Sequence, residues 1–238
     1  MTHLHIPDGI LPVWLWVAGF AVMAAALAIS LFRLRAVDMK KKIPLLGAVS
    51  AAMLVAMSLE IFPIAYHINL SVVAGILLGP SLGFVAAFLV NLMLAFLGHG
   101  GITVIGLNTI LLGAEAVLGH ALFFLFRKRL PVFWRAAMVT MMTMFITTLL
   151  LIGIVAASNV TPEIFSAGDE HGYGLPASVS VPTFAVMALS LGLIGWIIEA
   201  LITGVVVKFI AQVKPDLLRH VLHAGRASAV SAGGSGDD

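Results

Sequence analysis

The sequence predicts an all-α integral membrane protein of about seven transmembrane segments, one short or broken, with the N-terminus outside and the C-terminus cytoplasmic. Three observations carry this expectation. Of the 238 residues, 61% are hydrophobic and only 10% charged, with a mean hydropathy of +1.12, whereas a soluble domain carries about 25% charged residues. Uncharged apolar runs of roughly 20 residues recur, the length needed to cross about 30 Å of hydrocarbon. All 13 Lys and Arg fall where seven crossings place them on one side, which the positive-inside rule makes the cytoplasm.

Gly, Pro and charge breaks delimit segments at roughly 12–32, 43–63, 68–79, 82–97, 103–126, 132–157 and 181–211. Arg33, Arg35 and Lys40 to Lys42 follow the first. Arg127 to Arg129 and Arg135 separate the fifth from the sixth, and Lys208, Lys214, Arg219 and Arg226 close the chain. The third segment, ended by Gly79 and Pro80, reaches about 18 Å at 1.5 Å per residue and is too short to span unaided. Short or broken segments of this kind line sites rather than face lipid. Residues 1–11 are expected to form a metal-binding N-terminal segment, 12–212 the membrane bundle, and 213–238 a cytoplasmic polar tail, largely disordered. With no Lys or Arg near the start and a long helix across 20–30, no cleavable signal peptide is expected, although Met1 ahead of the small Thr2 is a candidate for removal.

Composition excludes several chemistries. The chain has no cysteine, hence no disulfide, thiolate ligand or thiol nucleophile. The pI near 9.2 reflects topology and not nucleic-acid binding. There is no phosphate-cradling GxxxxGK[ST] loop, so ATP-driven work would fall to another subunit, and no HExxH, which argues against a metalloprotease. The chain is read as a non-enzyme.

The residues that carry chemistry are histidines and acids. The chain opens Met-Thr-His-Leu-His-Ile-Pro-Asp-Gly. Imidazole, amine and amide nitrogens suit nickel or copper in square-planar fields, so His3 and His5 propose a transition-metal site, against a solvated tail as the bland alternative. If Met1 stays, the amine, two amides and the His3 imidazole make a four-nitrogen plane. If it is removed, Thr2 and His3 offer three nitrogens and an open position. His67 lies at the outer end of the second segment, either as a ligand or as an interfacial residue, and Asn69 beside it could orient the ring or cap the short helix. His99 and His171 fall on the same outer side; His120, His220 and His223 lie near or beyond the cytoplasmic side. Glu60, Glu115 and Glu199 are membrane acids, functional by default: Glu60 and Glu115 as relay or supporting groups, Glu199 as a partner within the bundle. Ala48, Ala52 and Ala56 stand four apart, a spacing that lets another helix approach closely. Met138, Met141, Met142 and Met144 crowd the sixth segment and fit packing better than Cu(I).

His-Ile-Pro-Asp-Gly at 5–9 resembles the N-terminal signature of the NikM/CbiM family, substrate-specific components of energy-coupling-factor nickel and cobalt importers. Two further stretches agree: His67 followed by Gly-Ile-Leu-Leu-Gly-Pro ending at Gly79 and Pro80, and Gly-His-Gly-Gly-Ile-Thr-Val-Ile-Gly-Leu-Asn from Gly98 to Asn108. The resemblance spans roughly residues 4–210. It implies that the N-terminal segment plugs into the bundle from outside, with His5 and His67 as imidazole ligands of Ni(II) or Co(II). Ala48, Ala52 and Ala56 then resemble the alanine motif that docks on the transmembrane coupling subunit. Implied partners are that subunit, cytoplasmic ATPase subunits and, as a further candidate, a small accessory membrane subunit. The metal is the transported substrate, no cofactor is held permanently, and the location is the prokaryotic cytoplasmic membrane.

One departure stands out. Family members typically begin Met-His, whereas here the signature histidine is His5. Either His3 replaces the terminal amine, or processed Thr2 and His3 take over the chelate; His5 and His67 are favoured as core ligands with His3 as a third. The Pro-Asp-Gly form resembles nickel members more than cobalt members. Two other classes compete: a self-contained secondary metal carrier, for which Glu60 and Glu115 would be essential, and a membrane metal sensor or assembly protein that binds metal without uptake.

Overall fold

The computed structural model describes residues 11–34, 39–61, 66–98, 101–127, 129–158 and 181–218. They form seven helices and one small hairpin: α1 (Val13–Leu34), α2 (Met39–Ser58), β1 (Glu60–Ile61), β2 (Tyr66–His67), α3 (Ser71–Leu78), α4 (Pro80–Phe96), α5 (Ile105–Leu125), α6 (Val132–Ser158) and α7 (Val181–Val213). The protein is a multi-pass membrane bundle. α1, α5, α6 and α7 are long and apolar enough to cross a bilayer, and Lys42–Ser58 and Pro80–Phe96 are shorter apolar helices.

Each helix falls within a few residues of its expected place, with one informative difference. The second segment does not run on to 63. Its helix stops at Ser58, and β1 pairs antiparallel with β2, Glu60 opposite His67 and Ile61 opposite Tyr66. Apolar periodicity could not separate these residues from the helix, because a short buried strand and a helix end share the same composition.

The third crossing is therefore composite. α3 has eight residues and covers about 12 Å; the hairpin and the 68–70 stretch supply the rest. Every residue of α3 is buried, encased by α2, α4, α5 and α7. Gly79 ends it with φ 84° and ψ 171° and donates its N–H to the Gly75 carbonyl at 3.0 Å. Pro80 then opens α4 at a position where its missing N–H costs nothing.

The chain alternates direction so that Arg33, Lys42, Arg127, Arg129 and Lys208 lie at one end, called here the basic end. There Arg135, 8% exposed, donates from a guanidinium nitrogen to the Arg127 carbonyl at 3.2 Å and lies 3.9 Å over the Phe123 ring, tying α6 to the end of α5. The outer surface is apolar, as lipid requires: Trp14, Val17, Val22 and Ile29 on α1 and Ile194, Ile197, Leu201 and Val205 on α7 are exposed.

Close backbone approach holds the centre. A Cβ on Gly75 of α3 would stand 1.9 Å from the Ala116 carbonyl oxygen of α5, and one on Gly106 of α5 would stand 2.6 Å from the Phe20 nitrogen of α1. In lipid, helices associate by packing rather than by hydrophobic expulsion, so such small-residue crossings are the adhesive. Because Gly75 faces backbone, which cannot swing aside, Gly75→Ala is expected to destabilise the bundle by about 1–3 kcal/mol. Gly47→Ala, with nothing within 4 Å, is expected to leave it unchanged; thermal unfolding of both variants in detergent measures the difference.

Candidate functional site

The loop between β2 and α3 leads into a buried polar cluster. Asn69, 1% exposed, uses three groups in three directions. Its main-chain N–H donates to Oε1 of Glu199 on α7, and its side-chain Nδ2 donates to Oε2 of Glu115 on α5. Its Oδ1 accepts the Ser71 N–H at 2.8 Å, an Asx turn that starts α3. Glu115 is also an acceptor at its other oxygen: Thr147 Oγ1 on α6 lies 3.1 Å from Oε1 and shares its proton with the Thr143 and Met144 carbonyls. Glu115 is 6% exposed and Glu199 fully buried.

Helix geometry fixes the depth of this cluster. Glu115 stands midway between Ile105 and Leu125, about 15 Å from either end of α5. Asn69 is thus held near mid-depth, and His67 lies within about 7 Å of chain from it. Non-helical backbone at that depth is tolerated only inside protein or along a cavity, because lipid offers no hydrogen bonds. His67 is half-buried, with its Nδ1 buried. Nearer the basic end, His120 Nδ1 lies 3.1 Å from the Gly75 carbonyl and its ring packs on Phe124 at 4.6 Å, which leaves it a helix-to-helix tie between α5 and α3.

Of the residues singled out in the sequence, His67 thus lies beside the cluster, and Glu115 and Glu199 converge in it. The backbone of Glu60 pairs with that of His67. His3, His5, His99, His171, His220 and His223 lie outside the described residues, as do the 1–10 and 219–238 segments. Among the described residues no three His, Asp or Glu side chains group closely enough to hold a metal ion. Ala48 and Ala52 are exposed and Ala56 half-buried along α2. Met144 is buried, whereas Met142 faces outward. Two members of the cluster went unremarked in the sequence in this role: Asn69 as the hub, and Thr147, one of many threonines on apolar helices. The available signal was a polar Asn-Leu-Ser step immediately before a wholly apolar eight-residue helix.

Comparison with known proteins gives this arrangement a family. The model of the family described as CbiM, the cobalt uptake substrate-specific transmembrane region, matches residues 5–217. The chain belongs to the CbiM family. Its relatives include a protein of Archaeoglobus fulgidus named as a fused nickel transport protein, NikMN, 30% identical over 228 residues that make up 94% of this chain and 70% of the relative. A protein of Haloquadratum walsbyi named as a metal transport protein is 30% identical over 229 residues, 90% of this chain and 93% of the relative. A crystal structure described as a transition metal transporter shares the fold, with a TM-score of 0.71 and 22% identity across 88% of this chain and 93% of the other. As a CbiM-family protein, the chain is a multi-pass component of transition-metal uptake in the prokaryotic cytoplasmic membrane.

The cluster makes a stability prediction of its own. Thr147→Val removes one donor and is expected to cost about 1 kcal/mol; Glu115→Leu strands the Asn69 amide, while the Thr147 hydroxyl keeps its backbone acceptors, and is expected to cost about 1–3 kcal/mol. Thermal unfolding in detergent orders the two, and equal effects would mean that the acid does not organise the site.

Proposed function

We propose that the chain is the substrate-binding membrane component of an energy-coupling-factor importer for Ni(II) or Co(II). The metal is captured on the outer face, the face opposite the basic end, and is released inward when a transmembrane coupling subunit driven by cytoplasmic ATPases rearranges the component. His5 and His67 are the core imidazole ligands, and His3 is the third. The N-terminal segment 1–11 plugs into the 12–212 bundle to bring them together, while 213–238 is a cytoplasmic tail.

The observation that carries this reading is the position of His67, at the end of β2 and two residues from Asn69, which ties the following loop to Glu115 and Glu199. An ionisable side chain set within a membrane bundle is a functional candidate by default. Neutral imidazole nitrogens without thiolates suit Ni(II), and because the Irving–Williams order alone favours Cu(II), geometry and supply must set selectivity. The exposed Ala48 and Ala52 edge of α2 fits close approach by a helix of the coupling subunit. ATP hydrolysis belongs to partner subunits, with a small accessory membrane subunit as a further candidate.

Metal titration of the purified chain tests the site. Wild type is expected to bind Ni(II) or Co(II) tightly, and His5→Ala and His67→Ala to weaken binding by about 100-fold or more, equivalent to about 2.7 kcal/mol; His3→Ala is expected to show a smaller loss. Uptake into cells is expected with the coupling module and not without it. Uptake by the chain alone that disappears in Glu115→Gln would instead favour a secondary carrier, and binding without uptake in either setting would favour a sensor.

A further inference from the structure

We infer that Asn69 is a positioning residue for His67, holding the hairpin at its depth through an amide-to-carboxylate contact with Glu115 that is separable from its role in starting α3. The inference rests on the metal-binding reading only for its consequence in affinity; the positional claim stands on the hydrogen bonds themselves.

The three contacts of Asn69 make different demands on residue 69. The main-chain N–H to Glu199 is indifferent to which side chain is present. The Oδ1 contact to the Ser71 N–H, at 2.8 Å, needs an acceptor on a short side chain, which aspartate and serine also provide. Only the Nδ2 contact to Glu115 needs a donor at that place. Both oxygens of Glu115 face donors, one from Asn69 and one from Thr147, so an acceptor set against it is left without a proton to share. If helix initiation were the whole purpose, aspartate would serve as well as asparagine. The fit of the amide to Glu115 is what ties the loop to α5 and α6, between two buried side chains whose hydrogen bond a low dielectric strengthens.

This separation permits an exchange test. Asn69→Asp keeps an acceptor for the Ser71 N–H and loses the donor. Adding Glu115→Gln restores a hydrogen bond of reversed polarity, because the glutamine amide then donates to the aspartate while its carbonyl still accepts from Thr147. The sequence has no cysteine, so His67→Cys in the full chain makes a single thiol whose reaction with a membrane-impermeant maleimide reports loop position without metal. We expect slow labelling in the Asn69 background, labelling about tenfold faster with Asn69→Asp, and a return to within about twofold with the exchanged pair, tenfold corresponding to about 1.4 kcal/mol. With His67 intact, Ni(II) affinity and the visible absorption of bound Ni(II) are expected to follow the same order.

Labelling unchanged by Asn69→Asp, or accelerated without recovery in the exchanged pair, overturns the inference. If labelling follows the expected order while His67→Ala binds Ni(II) as wild type does, the positional inference holds and the metal-site reading is what fails. Asn69→Ser, uncharged and able to accept from the Ser71 N–H but too short to reach Glu115 as well, takes the place of Asn69→Asp if that variant does not fold. It carries the same expectation of accelerated labelling and the same overturning result.

Discussion

A main-chain N–H that leaves a helix inside hydrocarbon must find an acceptor within the protein, and this fold is arranged around one such group. Between β2 and α3 the backbone is irregular near the middle of the bundle. The Asn69 N–H has no helical partner there, and a fully buried carboxylate, Glu199, accepts it. An unsatisfied donor in that setting costs several kcal/mol, so the loop and the acid depend on each other. The hairpin can enter the bundle because α7 carries Glu199, and Glu199 is tolerated because the hairpin brings it a donor.

The same economy extends outward. Glu115 takes donors from Asn69 and Thr147, so four elements, the β2–α3 loop, α5, α6 and α7, meet in one hydrogen-bonded unit. Around it the helices approach through glycine. The α3–α5 contact at Gly75 and the α1–α5 contact at Gly106 leave no room for a Cβ. Polar satisfaction at the centre and backbone contact around it are complementary, since the first specifies which way α3 points and the second how closely it is held. Close crossings also shield the hydrogen bonds from competition, which strengthens them in a low dielectric.

Most of the architecture was legible in the sequence. Seven apolar segments and the short third one follow from hydrocarbon thickness and charge cost, both written directly into composition. The hairpin at 60–67 was not legible, because an apolar run does not reveal where it leaves helical backbone; Leu59 to Tyr66 reads like the end of α2. The centre was half legible. Glu115 and Glu199 announce themselves as acids in apolar helices, but their convergence on Asn69 joins residues 46 and 130 positions apart, which no local pattern encodes. His67 was recognisable by type, and its depth came only from the fold.

The unequal helix lengths have a mechanical consequence for the surrounding lipid. At 1.5 Å per residue, α7 with 33 residues and α6 with 27 extend about 50 and 40 Å, whereas the 17 residues of α4 extend about 25 Å. A uniform bilayer of about 30 Å cannot match both sides of such a body. The long pair must tilt or project, and the leaflets beside α4 must pinch inward, at fractions of a kcal/mol per ångström of mismatch. The protein is thus a wedge in thickness, and a wedge has a preferred rim: elastic stress in the membrane favours covering the thin flank with another protein before the thick one.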